Sequence, residues 1–190
     1  MKKVILSSIA FCLLTSGLNA FSFKQDSLKI AFEGFKTADM VGVSGEFKEV
    51  KYSLGKDTKD ISSYLKNAKA TINPKSAFMG EDAEPITNNI VNVFFPSLLG
   101  QGDIKVVFQN LVEGDNKGII SAKVTLDKKS TVMPLSYTIK DGKFEAKGQL
   151  DLHSFKNGAK ALKDLSDAAP GHGTISWPLV NVSFSADLAD

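Results

Sequence analysis

Between Ile119 and Leu152, apolar and polar residues alternate through three strand-length runs. Successive side chains of a strand point to opposite faces, so such a stretch makes a sheet with one oily face. Ile120, Ala122, Val124 and Leu126 fall on one side, opposite Ser121, Lys123 and Thr125. Met133, Leu135, Tyr137 and Ile139 repeat the pattern, and Phe144, Ala146, Gly148, Leu150 and Leu152 return it. Asp141-Gly142 joins the second run to the third, and both residues favour the positive φ of a two-residue type I′ turn. A sheet of this kind must hide its oily face by closing on itself or by being covered. A closed sheet can hold an apolar ligand inside.

The flanking sequence continues the theme. Ser27 to Phe35 alternates with Leu28, Ile30 and Phe32 on one side, and Gly34 is read as a bulge or bend. Val43 to Leu54 alternates again, with a slip of phase near Val50. Asp60 is placed to cap a short helix whose Ile61, Tyr64 and Leu65 share a face. Ala68 to Ile72 forms a further strand-length run. Glu84-Pro85 opens a helix carrying the stripe Ile86, Ile90, Val93 and Phe94, which Pro96 and Gly100 are expected to end. Ile104, Val106 and Phe108 mark another strand, and Leu179 to Ala186 the last. Gly158 to Ala169 reads as a helix with Leu162 and Leu165 inward, stopped by Pro170-Gly171. The sum is an all-β chain of about eight antiparallel strands with two or three short helical insertions; a barrel is the first reading and a sandwich the alternative.

The first 20 residues set an address. Met1-Lys2-Lys3 is basic, Val4 to Leu14 is apolar and Thr15 to Ala20 is small and polar, the pattern of a cleaved secretory signal. The apolar run is shorter than the ~20 residues of a membrane-spanning helix. Residues 21–190 then form one domain, expected in the periplasm with no membrane span. Two of the 23 basic residues, Lys2 and Lys3, lie in the leader, so the mature chain balances 21 basic against 21 acidic residues. Cys12 is the single cysteine and leaves with the leader. Every basic residue is lysine. With no arginine and no net charge, nucleic acid is not an expected partner.

Catalytic and metal chemistry find little support. His153 and His172 are the only histidines, without the close-spaced ligands a transition metal draws together. His153-Ser154 are neighbours, which strand geometry would point apart. Neither an enzyme nor a cofactor is expected. The 13 phenylalanines are more telling. Phe32, Phe47, Phe108, Phe144 and Phe184 fall on inward positions, and Phe94 and Phe95 lie on the helical insertion. Such residues suit a packed core as well as a ligand cavity, and their pattern alone leans to core.

A resemblance adds to this. Leu28 to Thr37 followed by Val41 to Lys48 is similar to the first hairpin of the YceI-like family of exported proteins. Gly80 to Glu84 leading to Phe94-Phe95 resembles its helical insertion, and Met133 to Tyr137 with Gly148 to Leu152 and Phe155 its central meander. His172 to Val180, then Val182 and Phe184, resembles its last strand. The chain departs from the family at Asp26, at Phe35 and at Glu84-Pro85, where many members carry two histidines and an arginine. The resemblance implies a lipocalin-like eight-stranded antiparallel barrel around an elongated hydrophobic tunnel, holding a polyisoprenoid or another long amphiphile. The expected lining is Phe32, Phe47, Phe94, Phe95, Val106, Phe108, Val124, Leu135, Tyr137, Phe144, Leu150, Val182 and Phe184, with Tyr137 or Trp177 at a polar end. The partner is then a long-chain lipid or isoprenoid, and a homodimer stays open. The competing reading is a packed barrel that works through its surface.

Overall fold

The computed structural model describes residues 21–56, 58 and 60–189. The leader expected at 1–20 lies outside them. The strands are β1 (Lys29–Lys36), β2 (Val41–Phe47), β3 (Val50–Ser53), β4 (Lys69–Ile72), β5 (Ala77–Phe78), β6 (Ile104–Glu113), β7 (Lys117–Leu126), β8 (Lys129–Lys140), β9 (Lys143–Asp151) and β10 (Leu179–Asp187). All belong to one antiparallel sheet in the order β3-β4-β6-β7-β8-β9-β10-β1-β2-β5. The helices are α1 (Ile61–Leu65), α2 (Glu84–Asn89), α3 (Phe95–Leu99) and α4 (Gly158–Ala168).

Ten strands reduce to eight because two of them are broken. β2 and β3 are one run of chain separated only by Lys48 and Glu49. The facing run, β4 and β5, is broken at the same level by a 3-10 turn over Pro74–Ser76. Backbone bonds bridge the break, from Lys48 N to Ser76 O at 3.0 Å and from Asn73 N to Glu49 O at 3.1 Å. Because β2 pairs with β1 while β3 pairs with β4, the two ends of the sheet meet in this one run and the ring of strands closes. The break also explains the slip of phase: Phe47 and, three residues on, Val50 both pack against the core. The barrel reading therefore holds over the sandwich.

Two hairpin turns fix the register of the meander. Asp141 and Gly142 have φ of 51° and 72°, as the type I′ turn requires. Asp127 and Lys128 make a second such turn with φ of 40° and 66°, although neither is glycine. Two sequence expectations are corrected. Gly34 is not a bulge: β1 pairs in unbroken register across it, Gly34 facing Val43. The bulge sits at Gln109, between Phe108 and Asn110 in β6. Pro96 does not end the helical insertion either. A π turn over Ile90–Phe94 links α2 to α3, and the Phe95 N–H reaches back to Ile90 O. The change of hydrogen-bond register falls directly before the residue that has no N–H to give, so the helix passes through its proline and stops at Gly100.

One end of the barrel is solid. Phe23 and Phe144 are 3 % and 0 % exposed, and Tyr64 of α1 is 1 % exposed. Phe23 meets Tyr64 edge-to-face at 5.2 Å, Phe144 at 5.1 Å and Phe184 at 5.9 Å between ring centres. Phe21 adds a further edge contact to Tyr64 at 5.5 Å. The Phe23 N–H donates to the Tyr64 hydroxyl at 3.2 Å, satisfying a buried polar pair within the aromatic stack. At the side, α4 packs on the π turn and α3. Asp164 accepts from Ser97 at 2.5 Å, and Asn157 donates to Leu98 O at 3.4 Å, which pins the helices together. Among the described residues no helix is long and apolar enough to cross a membrane.

Candidate functional site

The barrel is not filled. A cavity of about 380 Å³ lies inside it, walled by residues of the strands and of the helical insertions. From β1 come Ile30, Phe32, Gly34 and Lys36, the alternate positions that strand geometry points to one face, and, out of that phase, Phe35. At roughly 3.3 Å per residue this row extends about 20 Å. Its first member pairs with Phe184 at the aromatic plug, and its last bridges to Ser176 at the other end. The cavity thus runs from the plug toward a mouth framed by the end of β1, the start of α2 and the segment from Pro170 to Trp177.

Eleven of the thirteen residues expected to line a tunnel do line this cavity: Phe32, Phe47, Phe94, Phe95, Val106, Phe108, Val124, Leu135, Leu150, Val182 and Phe184. Tyr137 and Phe144 do not. Their rings stack on each other at 5.2 Å and 26°, inside the plug. The reason lies in the lead-in segment: Phe21 and Phe23 fold back against α1 and fill the space these two rings would otherwise face. The expected polar contact at Tyr137 therefore has no access to the cavity, whereas Trp177 stands at the mouth. Its indole N–H donates to Thr37 O at 2.7 Å, which fixes the ring.

The sequence reading missed several wall residues. Tyr52, Met79, Leu162 and Leu165 all face the cavity. Leu162 and Leu165 were placed inward on their helix, but helical spacing cannot say whether they meet a wall or a void. Tyr52 lies beyond the break in the β2–β3 run, where the phase of the alternation is lost. Burial pushes its phenol up to about 12. Gly34 has a positive role here: a Cβ built on it meets nothing within 4 Å, so the missing side chain leaves the lumen clear at that level.

The mouth is polar. His172 Nδ1 lies 2.8 Å from the Ser176 hydroxyl, which lies 2.7 Å from the Ser166 hydroxyl. Burial, and then the charge of Lys36, hold the His172 imidazole below its ordinary pKa. Among the described residues the cavity wall includes Lys36, Lys69 and His172 and no carboxylate.

No family model matches the chain, and no curated protein does. Solved structures do. The BcnA protein of Burkholderia cenocepacia superposes with a TM-score of 0.58 at 16 % identity, over 89 % of this chain and 100 % of its own. The YceI protein of Campylobacter jejuni superposes with a TM-score of 0.53 at 16 % identity, over 97 % of this chain and 100 % of its own. At this level of identity the likeness concerns architecture: the chain has a YceI-like fold.

Proposed function

We propose that this protein is an exported carrier, or binding protein, for one long-chain apolar ligand such as a fatty amphiphile or an isoprenoid. The observation that carries the reading is the cavity itself. It is an apolar-walled space of about 380 Å³, plugged at one end and polar at the other, along a row of β1 residues that extends about 20 Å. A native interior normally packs its side chains as densely as an organic crystal, so a hollow of this size is not a packing accident. The competing picture of a packed barrel needs a filled interior. Each methylene taken from water contributes about 0.8 kcal/mol, against about 4–15 kcal/mol for association, so a long chain binds where a short one does not. Export fits the packing of Phe21 and Phe23, the residues that would begin the mature chain after cleavage at Ala20.

Gly34→Phe tests the reading. The new ring would enter open space in the lumen at an extended backbone position. The expected result is a folded protein with unchanged or higher Tm that no longer takes up a fluorescent long-chain probe, while the parent takes up one per molecule. Equal uptake by both would show that the probe binds elsewhere, and no uptake by the parent would refute the carrier.

A further inference from the structure

Among the described residues, the charged side chains of the cavity wall are of one sign only. Lys36 is the last member of the inward row of β1. Among the described residues its ammonium has no carboxylate within ion-pair distance. The other lysine of the wall, Lys69, is exposed and lies between Ala68 and Ala70, which are buried, so strand geometry sends its side chain outward. Among the described residues Lys36 is therefore the one cation on an inward-facing strand position of the wall. Its side chain is half-buried at the edge of the apolar chamber, so an acid seated at the mouth would meet a cation that has no carboxylate partner of its own among the described residues.

The neighbouring groups are arranged to help. Ser166 is 9 % exposed and anchors Ser176, which in turn meets His172 Nδ1. One order of protons satisfies the chain: Ser166 donates to Ser176, Ser176 donates to Nδ1, and the neutral imidazole keeps its proton on Nε2. That leaves an N–H donor for an acceptor at the mouth. The backbone beneath is strained. Thr37, which follows Lys36, has φ of 62°, a conformation that β-branched residues rarely adopt. It is held there by its N–H to Ile175 O at 3.3 Å and by the Trp177 indole on its own carbonyl.

We propose that this mouth is a head-group site for a long-chain acid, either a carboxylate or a phosphate monoester, with Lys36 as counter-ion and His172 as hydrogen-bond donor. The inference rests on the carrier reading and specifies its ligand. The tail lies along Phe32 and Val182 and the head stops beside Trp177.

The test compares hexadecanoate, hexadecyl phosphate and hexadecanol on the full mature chain, in the parent, in Lys36→Met and in Lys123→Met, an exposed lysine of β7 outside the cavity wall, with circular dichroism to confirm folding. At least one acid is expected to bind about tenfold or more tighter than the alcohol, the size of one charge-assisted hydrogen bond. Lys36→Met removes that preference and leaves alcohol binding in place; Lys123→Met changes neither. Since Trp177 is the only tryptophan, a bromine beside the head of the bound acid quenches its fluorescence more than one at the tail. Equal affinity for acids and alcohol, a preference that survives Lys36→Met, or stronger quenching from the tail overturns the head-group site while the carrier stands. Failure of all three chains to bind overturns the carrier as well.

Discussion

Tyr52 shows how a single side chain reports on the hollow. Its phenol faces the cavity wall, and loss of hydration raises its pKa from 10 to about 12. The sign of the linkage follows. The folded state favours the neutral phenol, so this contribution to stability is complete below pH 10 and is lost as pH rises from there through about 12. Titrating phenolate absorbance in the parent and in Tyr52→Phe checks this. The difference between the two is expected near pH 12, and a difference centred near pH 10 would show that Tyr52 is hydrated. Phe144 makes the contrast. It is fully buried in the plug and outside the cavity, so Phe144→Ala is expected to cost about 3–5 kcal/mol in denaturant unfolding and to spare probe uptake by the molecules that remain folded. A small stability loss with abolished uptake would place this ring at the site after all.

Strands were legible in the sequence where one face meets oil and the other meets water. The run Ile120, Ala122, Val124 and Leu126 is buried at every step, as its alternation requires. The helix from Gly158 ends within a residue of its expected stop for the same kind of reason: Pro170 cannot continue it. What escaped were features that depend on a partner. The break between β2 and β3 did show, as the slip of phase near Val50, but the matching break in the facing run did not, because no residue in either stretch announces the other. The passage of the helical insertion through Pro96 depends on the π turn before it, a hydrogen-bond register invisible in apolar spacing. The turn at Asp127 and Lys128 lacks the glycine that makes Asp141-Gly142 easy to read. Of the site itself, inward positions could be read from period two. Whether those positions enclose space could not, because Phe21 and Phe23 decide where the plug ends, and their partners lie at Tyr64 and Phe144. The row Ile30, Phe32, Gly34 and Lys36 did carry a legible sign of the mouth: a lysine in phase with three wall residues.

A closed ring of eight strands, plugged with aromatics at one end and carrying at the other a lysine with no carboxylate partner among the described residues, has the form of a container with an orientation. The ring forms the wall and the helices close its side; on the carrier reading, the polar mouth would set which end of a bound chain remains near water. The most direct measurement is a native mass spectrum of the protein recovered after expression with its leader. The expected spectrum shows a chain beginning at Phe21 that carries a single non-covalent long-chain adduct, released on collisional activation and restored by incubation with hexadecanoate. A bare chain that stays bare after that incubation would contradict the account.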